Sequence, residues 1–316
     1  MRRTHIPAPG VTGACDSPAA GGPAADTSAA AGRGITRRGF VSLAGALALG
    51  AAASSTLALA GWSGSGSSSG QGLKAIKSRG YLNCGVKTDV MGYGYQDTAT
   101  GKFTGMEIDI CYAIAAKVFG VSSATARRRD LVKFTGVTAK TRGPLVDSGQ
   151  VDLVCATYTI TPERKQSWNF SDPYYTDSIG MLVLKSSGIK SVADLDGKIV
   201  GVGEGADTKQ QVQAMLKSQG HGDFKVSYPQ YLDYPTLAAA LASGNIDVFA
   251  IDRSIIRTYV NDSNELLEPK LVFGKQQYGV CTAKSSTELT RLVNGVVGTL
   301  VSSGDIKRWA KKYKLL

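Results

Sequence analysis

The stretch VDLVCATYTITPERKQSWNFSDPYY, Val151 to Tyr175, joins a short apolar run to the opening of a helix. VDLVCAT reads as a buried strand. Thr161 suits an N-cap and Pro162 the first helical position, where proline's missing donor costs nothing. Arg164 then stands in the first turn, where the helix dipole favours anions instead. A cation beside free backbone N–H groups makes sense when both face a bound anion. The alternative is an arginine that simply points into water.

The same strand–turn–helix alternation runs outward in both directions. Upstream, YLNCGV is a strand, MEIDICYAIAAKVFG an amphipathic helix closed by Gly120, VKFTGV a strand and RGPLVDSG a helix, which together with the quoted strand predict a parallel α/β lobe. Downstream, SIGMLVLK is a long strand leading away. A second series follows: SVADLDG, strand KIVGVG, helix TKQQVQAMLKSQG, strand FKVSYP, helix PTLAAALASG, strand IDVFAID and helix SIIRTYV. YGVCTAK then returns as a strand and two helical stretches end the chain, Ile306, Trp309, Ala310 and Tyr313 sharing one face of the last. The expectation is an α/β protein with lobe 1 formed by 72–178 and 275–316 and lobe 2, 179–274, inserted into it. Two crossing strands join the lobes, and a ligand cleft lies between the carboxyl ends of their sheets.

The beginning of the chain has a different character. Residues 1–34 are rich in Ala, Gly, Pro and Thr without periodicity and read as disordered. Arg37 and Arg38, between Thr36 and Phe40, resemble a twin-arginine export signal, with the apolar run Val41 to Ala60 as its hydrophobic region and Ala58-Leu59-Ala60 as a small-x-small cleavage site. A retained membrane anchor is the alternative, since about 20 residues can span a bilayer. Residues 61–71 read as a Gly/Ser linker. Leu59-Ala60-Gly61 resembles a lipoprotein lipobox, but Trp62 stands where the lipid-accepting Cys would be, so lipid attachment is not expected. The mature protein is expected outside the cytoplasm, associated with the cell envelope.

Composition narrows the chemistry. The chain has 316 residues, 43% of them hydrophobic, enough for real cores in two domains. Its net charge is +11, and without residues 1–61 it keeps 31 Lys and Arg against 23 Asp and Glu, a net of +8. Such a balance raises nucleic acid as a partner, but export argues against it. A basic surface also suits weak attraction to anionic envelope polymers or acidic solutes. Beyond the expected signal the only histidine is His221, in the turn-like QGHGD, which removes His-based triads and His-rich metal sites. Cys84, Cys111, Cys155 and Cys281 form no CxxC pair, so zinc is not expected, although Cys84 and Cys155 could share adjacent strands and bond in an exported protein. GSSSG at 66–70 fits the hydrolase elbow but lies in the linker with no histidine partner. GVGEGA at 201–206 fits the dinucleotide fingerprint and follows a strand, yet Asp207 beside it would repel a pyrophosphate. Neither a cofactor nor a metal is expected.

Several segments in order, GMEIDICYAIAAKVFG, AKTRGPLVDSGQVDLVCATYTITPERKQSWNFSDPYY, SVADLDGKIVGVGEGADTK, YLDYPTLAAALASGNIDVFAIDRS and YGVCTAK, resemble the extracellular solute-binding proteins (family 3) of polar amino acid ABC importers. The AKTRGPL and DYPTL elements resemble the branch that binds aspartate and glutamate. The resemblance covers roughly residues 72–316 and implies a type II periplasmic-binding-protein fold, a monomer that delivers its amino acid to a membrane permease and ATPase, and no catalytic residues. It also implies site residues. Arg164 would bind the ligand's α-carboxylate, helped by backbone N–H of Thr159 and the hydroxyl of Thr157. Asp252 would accept from the α-ammonium, the alternative being a loop Asp that caps the next helix. Arg142 and Lys87 would meet a side-chain carboxylate, and Thr208, Tyr234 and Tyr93 would add polar contacts or wall the cleft. Glu204 and Asp207 bring two extra negative charges near the anion site, which keeps glutamine or asparagine open as the ligand. A dehydratase-like enzyme or a surface adhesin on the same body are the competing functions.

Overall fold

The computed structural model describes residues 72–267 and 271–316. The expected export signal, Trp62 and the linker lie outside the described residues. Lobe 1 is built on a five-stranded sheet in the order Val132–Gly136, Leu82–Val86, Leu153–Val154, Cys281–Ala283, Trp168–Phe170. The first three strands are parallel, as the alternation predicts. Cys281–Ala283 runs antiparallel to both its neighbours, so the lobe is mixed rather than parallel. It enters from the other end of the chain after its return from lobe 2, and no helical crossover forces it into the parallel sense. VDLVCAT contributes only two paired residues, because beyond Val154 the chain turns toward the cleft.

Lobe 2 holds the parallel strands Gln230–Tyr231, Val200–Gly203 and Val248–Asp252, continued by the antiparallel strand Tyr175–Leu184. Of the anticipated strand FKVSYP only an isolated bridge, Ser227 to Ile199, remains, and the pairing falls on Gln230–Tyr231 instead. Tyr175–Leu184 is ten residues long and pairs along its first half with Phe273–Tyr278 and along its second with Asn264–Leu266. Tyr175–Leu184 and Phe273–Tyr278 carry the chain between the lobes, paired from Tyr175 opposite Tyr278 to Ile179 opposite Phe273.

Packing follows from the sequence patterns. The helix Met106–Phe119 buries ten of its residues against lobe 1 and is entered through Gly105 at φ 132°, where a Cβ would lie 2.0 Å from the Tyr93 carbonyl oxygen. Only glycine fits there. The last helix, Asp305–Lys312, docks through Ile306 and Ala310 with its lysines outward. Tyr93, Tyr175 and Tyr278 meet edge to face or stacked at the crossing strands, with ring centroids 5.6–6.0 Å apart. The largest hydrophobic cluster therefore runs through the hinge from Ile108 in lobe 1 to Leu237 in lobe 2. Cys84, Cys111, Cys155 and Cys281 are all buried free thiols, so no bond joins Cys84 to Cys155. Among the described residues no helix is long and apolar enough to cross a membrane.

Candidate functional site

The strand ends of both sheets deliver charged side chains to the interlobe cleft. Thr161 caps the helix Pro162–Ser167 as its sequence predicts, its hydroxyl accepting the N–H of Arg164 at 3.2 Å. The Arg164 side chain then folds back over the capping turn instead of pointing into water. Its Nη1 donates to the Thr159 carbonyl at 2.8 Å, and its Nη2 reaches across to the Gly205 carbonyl of lobe 2 at 3.2 Å. The Asp207 carboxylate lies 3.7 Å from Nη1. Burial pulls the Arg164 pKa down, and the charge of Arg142 adds to the effect.

Arg142 opens the helix Arg142–Asp147 and is only 3% exposed. Its Nη1 donates to the carbonyls of Ala156 at 2.7 Å and Thr157 at 3.1 Å. The guanidinium lies 3.8 Å from the centre of the Tyr158 ring, against 4.9 Å for Arg164, so one aromatic ring supports both cations. Its Nε is buried without a hydrogen-bond partner, and among the described residues no carboxylate lies within ion-pairing distance. Thr157 between them is held at φ 44°, a left-handed conformation unusual for a β-branched residue, and its hydroxyl oxygen also lacks a partner. Such strain and bare polar atoms accumulate where a site is built for something else to bind.

Lys87 follows the strand Leu82–Val86 and is 2% exposed. It pairs with Asp89 at 3.0 Å and sits 4.6 Å from the Tyr234 ring centre. Burial lowers its pKa, an effect Asp89 opposes. Tyr234 starts the helix Tyr234–Ala242, whose cap is Asp233. Asp252 ends the strand Val248–Asp252 and makes no side-chain capping bond to the helix behind it, which removes the capping alternative. Burial, then the charge of Asp177, pushes its carboxyl well above the usual range. Thr208 is buried at the first position of Thr208–Ser218. Tyr93 lies in the hinge tyrosine cluster, its hydroxyl 2.8 Å from that of Ser254, rather than along an open wall.

Arg142, Arg164, Thr157 and Thr159 thus meet around Tyr158, the charge of Asp252 from lobe 2 reaches Arg164, and Lys87 and Tyr234 lie beside Asp89, whereas no contact ties Thr208 to this group among the described residues. Two grooves flank this centre. One, about 820 Å³, is lined by Thr159, Arg164, Gly205, Asp207 and Lys275, and the other, about 520 Å³, by Lys87, Asp89, Thr138 and Asp233. Contacts missed in the sequence close the cleft. Lys140 meets Glu204 across the lobes at 2.7 Å, and Gly205 approaches Lys140 so closely that a Cβ there would lie 2.7 Å from its Cα. Gln276, on a crossing strand, accepts from the Thr159 hydroxyl and donates to Asp207 at 3.2 Å. The only signal for Gln276 was a polar residue within a strand that had to cross. His221 packs tilted against Phe224, ring centroids 4.5 Å apart, beyond the helix Thr208–Ser218, and among the described residues no cluster of His, Cys, Asp or Glu could hold a metal.

Comparison with known proteins agrees with the fold. The chain is 29% identical over 246 residues to the ABC transporter glutamine-binding protein GlnH of Bacillus subtilis, covering 76% of this chain and 85% of that protein. It is 26% identical over 281 residues to the glutamate-binding protein GluB of Corynebacterium efficiens, covering 86% and 90%. Its fold superposes with a TM-score of 0.64 on the amino acid ABC transporter substrate-binding protein AbpA of Streptococcus pneumoniae, bound to L-arginine, at 26% identity over 77% of this chain and 98% of that one. Residues 82–315 match the family as a whole, and the chain belongs to the bacterial extracellular solute-binding proteins, family 3.

Proposed function

We propose that this protein is the extracytoplasmic component of an ABC amino acid importer that closes on glutamate or aspartate and presents it to the permease. In this reading Arg164 grips the α-carboxylate, with Thr157 and Thr159 beside it, and Asp252 accepts from the α-ammonium. The observation that carries the acidic ligand is Arg142: a buried guanidinium with a bare Nε and no carboxylate in reach among the described residues. A buried charge without a counter-ion is costly, and a ligand side-chain carboxylate supplies one with a charge-assisted hydrogen bond. Glu204 does not compensate Arg142, because it pairs with Lys140.

A second reading, glutamine or asparagine, is favoured by the ion pair between Lys87 and Asp89, which occupies one of the two cations expected to meet the ligand side chain. Binding is favoured over catalysis by the relatives, the glutamine-binding GlnH and the glutamate-binding GluB, both named for binding. Calorimetry of residues 72–316 against the twenty amino acids tests the proposal. Saturable binding of glutamate or aspartate supports it, tighter binding of glutamine selects the second reading, and no binding by any amino acid overturns both.

A further inference from the structure

We infer that Glu107 is a buried proton acceptor of the site, taking up a proton from solvent when a carboxylate side chain settles on Arg142. The inference rests on the acidic-ligand reading above. Glu107 lies in the first turn of Met106–Phe119, fully buried, and forms no ion pair among the described residues. Its Oε1 accepts the N–H of Thr157 at 2.6 Å and the hydroxyl of Tyr174 at 2.5 Å. Among the described residues its Oε2 is buried with no hydrogen-bond partner. A carboxyl with one satisfied oxygen and one bare oxygen has a ready place for a proton.

Thr157 ties this carboxyl to the ligand cation. Its N–H is given to Glu107 and its carbonyl receives Nη1 of Arg142, so a single strained residue separates acid from guanidinium. Burial raises the Glu107 pKa to about 7, against the hydrogen bonds from Tyr174 and Thr157 and the charges of Arg142 and Lys87. Arg142 is thus the leading charge that keeps the group ionised, while Lys87 is held by Asp89. The other titratable groups facing it are Tyr174, Tyr93 and the thiols of Cys111 and Cys155, and burial pushes all four up, which leaves them neutral near pH 7.

A ligand carboxylate on Arg142 neutralises the field that stabilises the Glu107 anion. One O–H bond then forms on Oε2, the proton coming from water or buffer, and the buried charge is unchanged because the ligand brings one negative charge and the proton one positive. An amide ligand brings no charge and recruits no proton.

Calorimetry of the mature protein in buffers of different ionisation enthalpy counts the protons. The expected result at pH 7 is uptake of roughly half a proton per glutamate and close to none per glutamine, with glutamate affinity falling as pH rises from 6 to 8. Glu107→Gln, which keeps the Oε1 acceptor, should bind glutamate without proton uptake and with a flat pH profile. Tyr174→Phe removes a hydrogen bond that favours the anion and should move the uptake to higher pH, which keeps the test alive should Glu107→Gln fold poorly. Glutamate binding with no proton uptake in the wild type, uptake unchanged in Glu107→Gln, or an unmoved window in Tyr174→Phe overturns the inference while leaving the ligand assignment intact. Absence of glutamate binding altogether overturns the acidic-ligand reading itself and this inference with it.

Discussion

Replacing Arg142 by Met separates the acidic ligand from its amide. In the wild type a glutamate side chain would gain a hydrogen bond from the bare Nε and lie beside a cation with no carboxylate in ion-pairing distance among the described residues. One hydrogen bond to a charged group is worth about 1.5–3 kcal/mol, and Lys87 adds little while Asp89 holds it at 3.0 Å. At 1.4 kcal/mol per decade the expected preference for glutamate over glutamine is about ten- to a hundredfold. Arg142 also fixes the carbonyls of Ala156 and Thr157, so Arg142→Met weakens every ligand through the loosened turn. The ratio of affinities cancels that common loss and isolates the side-chain term. Competition titration of glutamate against glutamine on both proteins measures it. A ratio that stays within threefold of wild type refutes the reasoning. Asp89→Asn should shift the ratio the other way, because it frees the Lys87 charge for the ligand.

Arg164→Ala should lose about 2–5 kcal/mol of binding free energy for every amino acid ligand, thirtyfold or more, since it strands a buried carboxylate, and affinity within threefold of wild type would remove Arg164 from the site. Asp252→Asn should weaken amino acids more than their deaminated analogues, whereas Asp207→Asn, which relieves repulsion beside Arg164, should tighten binding modestly. The opposite pattern in paired titrations would transfer the ammonium to Asp207. Glu107 titrates near 7 in the folded protein against an ordinary 4.5, so the folded state holds the extra proton between those values. Its stabilising effect is complete below about pH 4.5 and lost by pH 7, roughly 3 kcal/mol in all, and Glu107→Gln should flatten that part of the profile in urea unfolding at pH 5 and pH 8. A slope equal to that of wild type would show that Glu107 does not titrate there.

The fold was legible where the chain states a local period or a cap. Met106–Phe119 carries its apolar face and its closing glycine in sequence, and Thr161 with Pro162 announces the helix they open. What stayed hidden depends on partners distant in the chain. Whether Cys281–Ala283 runs parallel or antiparallel is decided by a return through lobe 2, and the Ser227 segment pairs at one residue only because the next strand pair takes over at Gln230. Neither choice leaves a mark on the strand's own residues.

The charges of the cleft show the same division more sharply. The family resemblance implies that Lys87, Arg142, Arg164 and Asp252 share one site with Asp207 near its anion end, but a charge acts on a ligand only through what its neighbours leave uncompensated. Asp89, only two residues from Lys87, compensates it, although nothing in the pattern of that segment announces the pair. The separations of 64 residues between Lys140 and Glu204 and of 69 between Asp207 and Gln276 put those pairs beyond local pattern. Their effect on specificity is indirect: Glu204 engaged by Lys140 and Asp207 held by Gln276 and Gln211 leave the field around Arg142 unscreened by either acid. The two negative charges that cast doubt on an acidic ligand in the sequence are directed to Lys140 and Arg164, so neither compensates the buried Arg142.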